Sequence, residues 1–486
     1  MFEPGPEAAR QVWQHIVDVL EEEGAAIRAR PVSTPVDLTA LRSTVRAYDF
    51  DEPVDPGKAI DDVVALLRSY TVHTAHPRYF GLFNPAPTLL GVVGDTLAAA
   101  FNPQLAAWSH APAAVEIEAH LLRFLGHRLG YPADEVAGSF TSGGAEANLT
   151  GVLLALTRRW PQYGTDGLRA LPGQPVLYAS AESHLAWLKI AHATGLGRQA
   201  VRLVPVDEDL RMDLDVLRAR IVADRRAGYL PFLVAGTAGT TGAGAIDPLP
   251  ALADLCDELD LALHVDAAYA GAAALSDQLA GALAGIERAD SITVDAHKWL
   301  SVPMGAGALL CTDSEGLAET FRVTTSYMPG NVADTVDPYT SSQQWSRRFT
   351  GLKLFLSLAV AGRSGYAQQL EHDTELAGLL RRQLTDSGWT IVNDTPLPVV
   401  CFADPTADGL SPDASWTHHS ALAHAVVDSG VAWISPVRLD GRPALRACVI
   451  SFRTTRADVD ELVRVVNEST DRAPRARRKT PHDTAS

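Results

Sequence analysis

The stretch 291–300, S-I-T-V-D-A-H-K-W-L, closes an apolar, β-branched run with Asp295, His297 and Lys298. A lysine at the end of a core strand is rarely buried unless it is paired or used chemically. The chain holds only five lysines, Lys58, Lys189, Lys298, Lys353 and Lys479, because arginine supplies most of the positive charge. Lys298 therefore has the most suggestive surroundings for an amine nucleophile, although alone it also reads as a surface lysine after a strand. Upstream, H-V-D-A-A-Y-A-G at 264–271 puts Asp266 at the end of another apolar run. A buried carboxylate there needs a partner for its charge, and a protonated heterocyclic nitrogen is one. A helix N-cap is the plain alternative.

Three further segments carry polar or glycine-rich chemistry. T-S-G-G-A-E-A-N at 141–148 joins a strand to a helix, with Gly143, Gly144 and Ala145 at the turn. Two glycines permit close backbone approach, and the helix start turns free N–H groups and its positive end toward the turn, as a phosphate cradle does. It is neither a Walker A loop nor a G-x-G-x-x-G fingerprint, so ATP and NAD are weakly supported. His184, after the apolar run 175–179, could lay its ring on a flat cofactor or simply start a helix. G-T-A-G-T-T-G at 236–242 leaves space at a strand end, with Thr241 offering a hydroxyl.

These residues need a scaffold that gathers strand ends. Strand-like runs fall at 137–141, 175–179, 201–204, 232–236, 262–265, 291–294 and 308–312. Helical spacing lies between most of them, at 146–160, 184–194, 214–226 and 248–259. That alternation predicts an α/β fold around a mostly parallel sheet flanked by helices, with ligands beyond the strand carboxyl ends. Helices are expected at 6–30, about 60–67, 88–101 and 113–129, with a Pro- and Asp-rich connection at 31–56. After helical patterns at 352–361 and 370–386 come strands at 389–392, 399–402 and 446–452 and helices at 416–429 and 457–467, a smaller α+β unit. The expected division is an N-terminal helical segment 1–85, a large domain 86–365, a small C-terminal α+β domain 366–470 and a disordered tail 471–486.

With 486 residues, 47% of them hydrophobic, the chain has length for a large core and more than one domain. A net charge of −17 argues against nucleic acid as a partner. Cys256, Cys311, Cys401 and Cys448 make no metal-ligand spacing and suit a reducing compartment. The acidic start M-F-E-P-G-P-E has no apolar h-region, and no apolar run is long enough to span a bilayer. A cytoplasmic enzyme with no metal and no membrane partner is the expectation.

Together the fragments say more than any one of them. A phosphate cup, a histidine, a Thr-rich turn, a buried acid and a His-Lys pair follow in order, each at a strand end, with Asp266 and Lys298 about one strand–helix–strand unit apart. Pyridoxal 5'-phosphate needs these groups: a lysine for a Schiff base, an acid for the ring nitrogen and a cup for the phosphate.

With H-V-D-A-A-Y-A-G and D-A-H-K-W-L, the chain resembles the group II pyridoxal-phosphate-dependent amino acid decarboxylases, a family that includes aromatic-amino-acid, histidine and glutamate decarboxylases. The resemblance implies an aminotransferase-like (type I) fold and decarboxylation of an L-amino acid to its amine, with transamination, aldolase-type cleavage or aldehyde-forming oxidative decarboxylation as rivals on the same cofactor. A silent cofactor-binding protein is a further rival. It implies Lys298 as the Schiff-base lysine, Asp266 at the ring nitrogen and Ala268 and His184 on the two ring faces. Gly143, Gly144, Ala145, Asp295 and His297 would lie at the phosphate end, and Thr241 near the substrate carboxylate. The cup of the aromatic-substrate members carries a serine where this chain has Gly143 or Ala145, so fewer hydroxyl contacts are expected. Tyr327 matches the loop tyrosine that protonates the product, where phenylalanine would suggest the oxidative variant. Leu82, Phe83 and Ala106 would form the substrate wall, with Leu82 and Ala106 standing where aromatic-substrate members carry aromatic residues. The family also implies a homodimer with shared active sites.

Overall fold

The computed structural model describes residues 4–323, 328 and 332–472. The expected seven strands form one sheet: β1 Ala137–Thr141, β2 Pro175–Ser180, β3 Val201–Val204, β4 Leu230–Thr237, β5 Ala262–Asp266, β6 Ser291–Asp295 and β7 Gly307–Cys311. Their order is β1-β7-β6-β5-β4-β2-β3. The run from β6 through β5, β4 and β2 to β3 is parallel, while β7 is antiparallel to both of its neighbours. The strands β2, β6 and β7 are buried along their whole length. Continuous burial rather than alternation is what a sheet covered on both faces requires. Because β1, β2, β4, β5 and β6 point the same way, their carboxyl ends share one edge, which β7 enters at Gly307.

A four-stranded antiparallel sheet, order β10-β11-β9-β8, makes the smaller unit. Its strands are β8 Thr390–Ile391, β9 Val399–Ala403, β10 Ser435–Leu439 and β11 Arg442–Cys448. Sequence patterning missed β10, a short run containing Pro436 that finds its place by pairing with β11. The two helical patterns at 352–361 and 370–386 are joined in Leu352–Asp386, where Gly362 alone is non-helical at φ 64°. The connection 31–56 contains a further helix, Leu38–Arg46, capped by the Asp37 carboxylate on two amides. None of its residues is buried, although Leu38, Leu41 and Val45 recur at helical spacing; the surrounding prolines and acids read as a connection.

The aromatic segment 76–85 is stitched into the small unit. The Phe80 amide donates to the Trp433 carbonyl and the Phe80 carbonyl accepts from the Cys448 amide, each at 2.9 Å. Past residue 332 the chain is fixed by a buried ion pair, Arg347 with Glu118, 5% and 3% exposed at their side chains. Glu118 Oε1 also accepts the Thr350 and Gly351 amides at 3.0 and 2.9 Å. All four cysteines are buried and free. Among the described residues, no helix is long and apolar enough to cross a membrane. The expected tail from residue 473 onward, like Tyr327, lies outside the described residues.

Glu118→Ala strands a buried guanidinium and two backbone amides. It is expected to cost about 3–5 kcal/mol, read as a lowered thermal midpoint; an unshifted midpoint would show that the pair does not hold this segment.

Candidate active site

The residues at the shared strand edge surround a cavity of about 320 Å³. Its lining includes Gly143, Gly144, Ala145, His184, Thr241, Asp266, Ala268, Asp295, His297, Lys298 and Phe83. A larger hollow lies beside the opposite ends of β5 and β6, but its Arg158 and Arg159 are already paired with Asp313 and Asp260.

The lysine turn begins where β6 stops. The Lys298 amide donates to the Asp295 carbonyl, and the Ser301 amide to the Lys298 carbonyl. Lys298 Nζ lies 3.3 Å from Asp295 Oδ2, with a quarter of the side chain exposed. Trp299 anchors the turn from below: its indole N–H donates to Asp373 Oδ2 at 2.8 Å. Burial pushes the Asp373 carboxyl up to about 7. His297 Nδ1 accepts the Ala306 amide at 3.2 Å, and burial holds its imidazole below the ordinary value despite Asp295. The other interior lysine, Lys353, is consumed by structure. Its ammonium donates to Asp95 and to the Pro303 and Met304 carbonyls.

The phosphate-cup turn is built from missing side chains. A Cβ on Gly144 would stand 3.0 Å from Asp295 Oδ2 and 3.2 Å from the Ala268 methyl. A Cβ on Gly307 would stand 2.6 Å from the Gly143 backbone. The helix Gly144–Arg159 opens with no side-chain cap, so its first amides and positive end face the cavity. The Ser142 hydroxyl is committed elsewhere, to Glu146 Oε2 at 2.7 Å, and Glu146 Oε1 accepts from Gln344 at 2.6 Å.

Asp266 is buried and held by neutral donors, Asn148 Nδ2 on Oδ2 at 2.8 Å and the Ala268 amide on Oδ1 at 3.1 Å. His184 stands exposed at the cavity, its Nδ1 accepting the Ala186 amide at 3.1 Å. Thr241 is tied to the small unit, because its carbonyl accepts from Arg446. Phe83 packs against Tyr269 with ring centroids 4.2 Å apart and planes tilted by 33°, and Tyr269 against Trp299 at 5.4 Å and 31°.

Two residues expected at the substrate wall lie outside the cavity of this subunit. Leu82 is half exposed and Ala106 fully buried, and neither lines the cavity. The alternation of the segment turns Phe83 inward and its neighbour Leu82 out. Ala106 is held against the chain at Tyr339, whose amide bonds its carbonyl. Sequence reasoning also missed Asn148, His264 and Glu146. The available signals were the spacing of Asn148 and Gly151 on one helix face and of His264 and Asp266 on one strand face.

The site fits pyridoxal phosphate on its own observations. Asp266 is a buried carboxylate with only neutral protein donors, suited to a protonated ring nitrogen. Asp295 Oδ1 and Thr237 Oγ1 are buried without partners among the described residues. The glycine cup leaves the space that a phosphate needs.

Residues 45–404 match the pyridoxal-dependent decarboxylase conserved domain. The chain is 31% identical over 462 residues to aromatic-L-amino-acid decarboxylase of Bacillus atrophaeus, covering 94% of each. Among solved structures it is similar to mouse CSAD, at 28% identity and a TM-score of 0.89 over 96% of this chain and 99% of that one. It is likewise similar to Oryza sativa TDC with PLP and tryptamine, at 25% identity and a TM-score of 0.89 over 97% and 99%.

Two measurements check this geometry. Gly307→Ala drives a methyl into the Gly143 backbone and is expected to lower stability by about 1–3 kcal/mol and to weaken binding of inorganic phosphate or cofactor; unchanged melting and binding would refute the tight cup. Burial holds His76 and His264 at about 4, against an ordinary 6.5. The unfolded chain therefore binds more protons than the native one between those values, and stability falls as pH drops from 6.5 toward 4. His264→Gln should remove roughly one proton from that dependence, and an unaltered slope in urea unfolding would contradict a neutral buried His264.

Proposed function

This chain belongs to the pyridoxal-dependent decarboxylase family, and on that premise we propose that Lys298 carries its cofactor, Asp266 holds the ring nitrogen protonated and the Gly143–Ala145 turn takes the phosphate. The fold is the aminotransferase-like type I fold, and the reaction is the pyridoxal-phosphate-dependent loss of carbon dioxide from an amino acid, leaving an amine. The observation that carries the site assignment is the convergence of Lys298, Asp266 and the open helix start on one cavity. When bound, pyridoxal phosphate supplies a carbonyl that condenses with amines and an electron-poor ring that accepts the electron pair left by the departing carboxylate.

The chain's own groups do the rest. Lys298 supplies the amine, and Asp295 Oδ2, 3.3 Å away, is the nearest acceptor for the proton it must shed before it can attack. The Gly144 and Ala145 amides, with His297, bind the phosphate end. His184 and Ala268, both lining the cavity, would confine the cofactor ring and so orient the substrate bond that breaks. Thr241 orients the substrate carboxylate. Tyr327 returns the proton to the substrate carbon, which makes amine rather than aldehyde the product.

The favoured substrates are L-amino acids with aromatic side chains. The named curated relative acts on such substrates, and Phe83 offers a flat apolar wall. Among the described residues of this subunit that line the cavity there is no arginine and one lysine, Lys298, so these residues offer an acidic side chain no further cation. The working unit is a cytoplasmic homodimer whose sites are shared, with segment 1–85 embracing the partner and domains 86–365 and 366–470 forming each site. In its support, Leu89, Val93, Leu97 and Phe101 leave an apolar stripe exposed on one helix, as do Trp13, Val17 and Leu20 on another. Leu82, half exposed, would meet the substrate only across that shared boundary.

Purified protein with a panel of L-amino acids should release carbon dioxide and the matching amine fastest from aromatic members. Glutamate or cysteine sulfinate turning over faster would overturn the substrate class, and aldehyde in place of amine would overturn the role of Tyr327. Lys298→Ala should lose the visible band of the lysine-bound cofactor; an unchanged spectrum would remove Lys298 from its role.

A further inference from the structure

Behind Asp266 lies a line of buried polar groups that no step above uses. Asn148 Oδ1 is 3.0 Å from His264 Nε2, and His264 Nδ1 is 2.7 Å from Ser291 Oγ. We propose that Ser291, His264 and Asn148 form a directed hydrogen-bond relay that positions the Asp266 carboxylate, with His264 as its central positioning residue. It rests on Asp266 being the partner of the cofactor ring nitrogen.

The direction of each bond is forced from the carboxylate outward. An ionised carboxylate only accepts, so the group that Asn148 turns to Asp266 must be its NH2. Its oxygen then faces His264 and needs a donor, which places a proton on Nε2. In the neutral ring Nδ1 is left as an acceptor, and the Ser291 hydroxyl donates to it. Thr293 Oγ1, 3.3 Å from Nε2, is a second and longer contact on the same nitrogen.

The surroundings are shaped for this ring. Gly151 lies one turn after Asn148, and a Cβ there would stand 2.5 Å from His264 Nδ1 and 2.8 Å from its Cε1. Trp187 closes the site edge-on, with ring centroids 5.6 Å apart. Burial keeps the imidazole neutral. Neutrality matters because a cation two hydrogen bonds from Asp266 would offset the negative charge that a protonated ring nitrogen needs. The relay thus fixes the orientation of the carboxylate without diluting its charge, as outer partners of a histidine or carboxylate ligand do elsewhere.

The full-length apoprotein, titrated with pyridoxal 5'-phosphate, separates this relay from the role of Asp266 itself. The readouts are the dissociation constant and the pH at which the bound cofactor's visible band titrates. Asp266→Asn, His264→Phe and Asn148→Leu should each weaken binding by about tenfold or more, the loss of a hydrogen bond to a charged group, and shift the titration by roughly one unit. His264→Gln, which can still donate and accept, should stay within about threefold of the natural protein. If Asp266→Asn alone weakens binding, the relay is wrong and the ring-nitrogen partner stands. If Asp266→Asn changes neither readout, that partner assignment fails and takes the relay with it. His264→Gln as weak as His264→Phe would also overturn the relay, since shape rather than hydrogen bonding would then be at work. Should His264→Phe fail to fold, Asn148→Leu decides by the same two readouts.

Discussion

A buried carboxylate whose hydrogen-bond donors among the described residues are all neutral is the constraint around which this structure is arranged. Asp266 is satisfied by an amide side chain and a backbone N–H, both neutral. Such a group is costly unless a positive charge arrives from elsewhere. Everything that makes the arrival possible sits at one sheet edge, because β1, β2, β4, β5 and β6 run the same way. Parallel strands bring each carboxyl end, with its turn, to the same side. The antiparallel β7 then supplies Gly307, whose bare backbone lets the Gly143 turn close against it.

The cavity is kept open by small residues and kept in shape by large ones. Gly144 and Gly307 leave room where a Cβ would crowd its neighbours. Phe83, Tyr269 and Trp299 pack together on the other side, and the Trp299 indole is tied to Asp373 on the long helix Leu352–Asp386. The lysine turn is therefore backed by packed aromatic rings and by the Asp373 hydrogen bond, which suits a site in which Lys298 must meet the same atom in every turnover.

The two units of the fold are joined at the site itself. Arg446 on β11 donates to the carbonyls of Thr241 and Gly81, so the Thr-rich turn and the aromatic segment share one guanidinium. The segment around Phe80 is bonded to the Trp433 and Cys448 backbones of the small unit. Phe83 is held in the cavity by these ties. The same ties turn Leu82 outward, where it can only meet a molecule that approaches from outside the subunit.

The sequence by itself determined which residues could do chemistry and at which strand ends they stand. Apolar runs that end in Asp266, Asp295 or a Thr-rich turn are local patterns, and local patterns survive in a linear chain. It also determined all seven strands of the large sheet, several of which, such as β2, β6 and β7, are buried along their whole length and read as short apolar runs between turn signals. It left β10 and the helix Leu38–Arg46 unread: β10 contains Pro436 and is placed by its pairing with β11, and the helix lies within a Pro- and Asp-rich connection and buries none of its residues. Only the tertiary structure decided which ends are neighbours. Asn148 and His264 lie far apart in the chain and meet because the first helix of the sheet packs over β5. Ser142 looks like a cavity hydroxyl until Glu146 is seen to hold it, and Lys353 looks like an ordinary lysine until its ammonium is found among carbonyls. Strand order and packing set those contacts, and no spacing along the chain records them.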